Sequence, residues 1–63
     1  MMAEFTIAPN IEAPDDFYED LLAIHEGKSK DESDAINARL ILILANQIGD
    51  RSVLKSALAA AIQ

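Results

Sequence analysis

The chain holds one imidazole, His25, and one phenol, Tyr18, seven residues apart in "YEDLLAIH". Seven residues are about two helical turns, so on a helix the two side chains lie on one side. An imidazole there offers a general base or a pH switch, and a phenol beside it a ligand-binding hydroxyl. No serine, cysteine or second acid is placed by sequence to complete a nucleophilic set around His25. The favoured reading is structural: a packed histidine, hydrogen-bonded to a polar group of the next helix or to a backbone carbonyl, with Tyr18 as an amphipathic rim residue. His25 and Tyr18 are the functional candidates if that reading fails. No residue is assigned as catalytic.

Asp15, Asp16, Glu19 and Asp20 form an acidic cluster. Carboxylates so close can hold a hard cation or divide acid and base roles, but at a helix start they complement the positive end of the dipole, and that reading is preferred. "DESDAIN" lacks the glycine and terminal glutamate of an EF-hand loop. One histidine without any cysteine argues against structural zinc. Phosphate-loop spacing is absent. No metal and no cofactor is expected. Asn37, Asn46 and Gln47 beside an apolar run read either as amides that set register or partner choice, or as boundary residues bonding water.

These groups need elements to hold them, and the material is scant. Sixty-three residues hold one small domain, which buries only about 60% of the surface of its unfolded chain. Without cysteine there is no disulfide, so good packing or a partner must stabilise the fold. Hydrophobic residues at 51% exclude a disordered tail. A net charge of −6, from five Lys+Arg against eleven Asp+Glu, disfavours nucleic acid and anionic membrane as partners. "MMAEFTIAPN" shows no basic and apolar leader pattern, and no run reaches the roughly 18 apolar residues of a membrane span, so a cytoplasmic location is expected.

Residues 1–13 read as an extended arm, with Phe5, Ile7 and Ile11 able to lie on the helices and Pro9 breaking any strand. Pro14 followed by Asp15 and Asp16 starts a helix, Phe17, Leu21 and Ile24 repeat at helical spacing, and Gly27 closes it, giving residues 15–26. Ser29 and Glu32 match a capping box. The run "LILILA" after them suits a strand by itself, but a cap upstream, Gly49 downstream and Ala35, Ala38, Ala45 and Gln47 around it make residues 30–48 one helix. Gly49 and Asp50 form a corner, and residues 51–62 make a third helix with small alanines on its apolar stripe. The fold class is therefore all-α: a compact domain of three helices with an extended N-terminal arm.

On a helical wheel Glu32, Arg39 and Asn46 form one polar ridge, and Ile36 and residues 40–45 with Ile48 fill most of the remaining circumference. Such a helix is expected at the centre of the molecule, with Ile41 and Leu44 both buried and helices 1 and 3 covering two of its sides. Two short helices are little cover, so a homodimer, or another protein, is expected to complete the core. The candidate seam comprises Leu42 and Ile43, which flank the ridge, with Asn46 and Gln47. The alternative is a monomer closed by the arm. Helices 2 and 3 also outline a helix-turn-helix, but Arg51 and Lys55 are the only basic groups of the second element, so DNA binding is rejected.

Pro9-Asn10, the block Asp16 to Gly27 with "HEG", and "NARLILILANQIGD" from Asn37 to Asp50 resemble a family of short, uncharacterised bacterial proteins, a domain of unknown function. The likeness spans nearly the whole chain, and Lys28-Ser29-Lys30 is more basic than its pattern. It implies no activity. It implies an accessory role, because such genes neighbour those of flavin-dependent aromatic hydroxylases. The expected function is a small interaction or accessory subunit that self-associates and is not an enzyme. The runner-up is a small enzyme or ligand-binding protein using His25 and Tyr18 in an oligomeric pocket.

Overall fold

The structure, a computed structural model, describes residues 5–63; the first four residues of the expected arm lie outside them. Three helices follow the arm: α1, Pro14–Ala23; α2, Lys30–Ile48; and α3, Arg51–Ala61. Among the described residues there is no strand, and the protein is all-α. No helix among them is long and apolar enough to cross a membrane.

Helix α1 starts with Pro14 in its first turn and Asp15 and Asp16 beside it. Its N-cap is Ala13, in the left-handed region at φ 46° and without a side-chain cap. The Phe17 N–H donates to the Ala13 carbonyl at 3.0 Å, so this unusual residue still opens the helical ladder. The helix ends at Ala23, three residues before the expected Glu26. There the ladder tightens: the N–H groups of His25 and Glu26 donate to carbonyls three residues back, Leu22 and Ala23. Such bonds close a helix into a turn. Gly27, at φ 74°, then takes a backbone conformation that a side chain would strain.

Helix α2 has the expected boundaries. The Ser29 hydroxyl accepts from the Glu32 N–H at 3.2 Å, and the Glu32 carboxylate accepts from the Ser29 N–H at 3.0 Å, completing the capping box. At its other end the Gly49 N–H donates to Ala45 at 2.9 Å with φ at 77°. Asp50 caps α3 at once, its carboxylate accepting from the N–H groups of Ser52 and Val53 and from the Ser52 hydroxyl. Helix α3 ends one residue short of expectation, with Ile62 as its C-cap.

Coverage differs from the sequence expectation. Helices α2 and α3 pack on each other, while α1 makes no comparable approach to either. Among the described residues no side chain is fully buried. Leu21, Ile36, Leu40, Ala45, Val53, Leu54 and Ala57 are half-covered. Ile41 and Leu44, expected to be buried, are 63% and 46% exposed. The physical reason is reach: α2 runs 19 residues, α1 only 10, and α1 is held near the first half of α2 by the short turn between them. The described part of the arm does not substitute for it, since Ile7 and Ile11 are themselves exposed.

Candidate functional site

Two features carry chemistry. The first is centred on His25, in the turn between α1 and α2. Its Nδ1 lies 2.8 Å from the Ser33 hydroxyl, and its Nε2 lies 3.0 Å from Oδ1 of Asn37. Ser33 and Asn37 are four apart on α2, so they stand one above the other on a single face. The amide oxygen only accepts, so Nε2 carries the proton. A neutral ring then takes a hydrogen bond from Ser33 at Nδ1; a charged ring donates to the same oxygen. The imidazole thus ties the turn to α2 in either state.

Serine, histidine and asparagine in line resemble a nucleophile, a base and the group that orients it. The surroundings lack the rest. Ser33 sits inside the helix, and its N–H is committed to the Ser29 carbonyl at 2.9 Å, so it offers no donor to a developing oxyanion. A shallow hollow of about 470 Å³ beside His25 is lined by Glu19, Leu22, Ala23, His25 and Glu26. Neither Ser33 nor Tyr18 borders it, and Tyr18 is exposed. Within one chain this hollow therefore does not join His25 and Tyr18. Among the described residues no cluster of His, Asp and Glu is arranged to hold a metal ion. Asp15 and Asp16 lie in the first turn of α1, at its positive end.

Sequence reasoning named Asn37 for another role and did not name Ser33. A signal was available: a histidine four residues before a helix N-cap, with two short polar side chains at i, i+4 in the first turns of that helix.

The second feature is the outer surface of α2. Ile41, Leu42, Ile43, Leu44 and Ile48 are all exposed, as are Asn46 and Gln47. Leu42 and Ile43 lie on opposite sides of the ridge of Arg39 and Asn46, about 100° apart. Ile41, Leu44 and Ile48 do share a face, at the i, i+3, i+7 spacing of a helix–helix seam. Half-covered Ile36 and Leu40 lie on an adjoining face. No charged residue occurs from Leu40 to Gly49.

Fold and surface together define a small all-α protein with an assembled histidine clamp and an uncovered apolar helix. The chain belongs to the family described as "Protein of unknown function (DUF2783)", which matches residues 5–63 and so takes in every segment that carried the resemblance. No curated protein and no solved structure matches it.

Proposed function

We propose that this protein works as a small interaction or accessory subunit of the cytoplasm, not as an enzyme, with the outer face of α2 as its contact surface. One observation carries the reading: a helix with firm caps at both ends leaves Ile41 to Leu44, the middle of its longest apolar run, exposed to water. Exposed apolar patches of this kind mark contact surfaces in soluble proteins. His25 supports the same reading from the other side, because both ring nitrogens serve the fold. A flavin-dependent hydroxylase, which the family likeness implies as a neighbour, is the first enzyme to test as a partner.

The test is the native size of the full chain in lysate of its own host, compared with Ile41→Lys. The wild type is expected in an assembly larger than 6.8 kDa and the variant outside it. A wild type that migrates as a single chain, or a variant that stays in the same assembly, overturns the proposal.

A further inference from the structure

We infer that the cover missing from α2 is a second copy of this chain, lying antiparallel, with Ile41 of each protomer against the partner's Leu44. The inference rests on the interaction reading above and names its partner.

The first argument is area. The chain exposes 5745 Å². A folded monomer of 6.8 kDa is expected to expose about 4,000 Å². The excess of roughly 1,700 Å² per chain, to which the exposed Ile7 and Ile11 of the arm contribute beside the α2 face, doubles to a figure inside the range of about 2,000–5,000 Å² that obligate dimers bury. With no residue buried among those described, the chain needs this cover whenever it is folded. A second copy is available whenever the chain is made, whereas a different protein in varying supply is not.

The second argument is pattern. Ile41, Leu44 and Ile48 follow a 3–4 spacing, the alternation of a two-helix seam. Ile41 opposite the partner's Leu44 places the two-fold axis between these residues, and each protomer then supplies the same patch.

The third argument is charge, which fixes direction. From Lys30 to Gln63 four acids (Asp31, Glu32, Asp34, Asp50) meet four bases (Lys30, Arg39, Arg51, Lys55), so the net charge of −6 resides wholly upstream of α2. The face that must meet its copy is therefore neutral. Parallel pairing sets the acidic first turns, Asp31, Glu32 and Asp34, side by side. Antiparallel pairing places them at opposite ends of the pair and opposes the helix dipoles.

The natural chain has no cysteine, so single-cysteine variants report geometry directly. Purified Ile41→Cys and Leu44→Cys, mixed at tens of micromolar and oxidised gently, are expected to give the mixed disulfide dimer. Ile48→Cys alone is expected to stay uncrosslinked, because antiparallel copies hold the two positions about 16 Å apart along the axis, beyond the roughly 7 Å Cα limit of a disulfide. Efficient self-linking of Ile48→Cys indicates parallel helices and overturns the arrangement. A purified wild type that is helical yet monomeric overturns the second copy as partner, as does one that folds only when another protein is added. Both results leave the native assembly in lysate as a separate question.

Discussion

His25 and Asn37, twelve residues apart in sequence, meet at 3.0 Å through Nε2 and Oδ1, and this bond joins the turn after α1 to the third turn of α2. Ser33 completes the clamp on the other ring nitrogen. Because α1 makes no broad packing contact with α2, the clamp fixes their geometry more than apolar burial does.

His25→Ala should therefore destabilise the fold by about 1–2 kcal/mol, the net worth of two part-solvated hydrogen bonds. Asn37→Ala should cost about half of that, and the double variant little more than His25→Ala alone. Urea melts of the four proteins measure the coupling. His25→Gln, once folded, should retain its assembly. Assembly lost at an unchanged melting temperature makes His25 a contact residue instead.

The capping box gives a pH signature. Glu32 titrates below the usual carboxylate range because the Ser29 backbone N–H, and then its hydroxyl, hydrogen-bond the charged form. A depressed folded-state value adds stability that is complete above the unfolded carboxylate pKa and is lost as pH falls through the folded one. Glu32→Gln should flatten this acid-side loss while leaving the pH dependence above neutrality unchanged. Ser29→Ala should cost about 0.5–2 kcal/mol at neutral pH. Chemical denaturation from pH 7 down to pH 3 tests both.

Two backbone positions should respond with opposite signs. Gly49 holds φ 77°, and an added Cβ meets only the Asn46 carbonyl at an ordinary 3.9 Å, so Gly49→Ala is penalised by conformation alone, about 1–2 kcal/mol. Ala13 already occupies the left-handed region at φ 46°, so Ala13→Gly should stabilise, by about 0.5 kcal/mol after the added unfolded-state entropy. Thermal melts of the two variants against wild type provide the check.

Helix boundaries were legible wherever a side chain announces them. Ser29 with Glu32 and Gly49 with Asp50 mark α2 and the start of α3 without reference to packing, because their bonds are local. The C-terminal end of α1 was not legible: Ile24, His25 and Glu26 suit a helix, and the turn there goes with the bonds His25 makes to Ser33 and Asn37, which lie beyond any local window. Burial was least legible. A wheel shows that α2 is apolar nearly all round, but not whether its neighbours reach it, and Ile41 is the residue where that inference failed within one chain.

The α2 surface yields a contrast between neighbours. If a second copy covers Ile41, Leu44 and Ile48, Leu44→Ala should lose about 2–4 kcal/mol. Leu42→Ala, on the side of the ridge away from that face, should stay within about 0.5 kcal/mol. Equal effects at the two positions, read from urea melts at one protein concentration, place the seam elsewhere.

Sedimentation equilibrium of the purified wild type, paired with thermal melts over a hundredfold concentration range, tests association itself. Mass action requires that a fold completed by a second copy melt at a higher temperature as concentration rises. The expected result is twice the chain mass of 6.8 kDa at high micromolar concentration and a melting temperature that falls on dilution. A single-chain mass at that concentration, with a melting temperature that does not move on dilution, contradicts it.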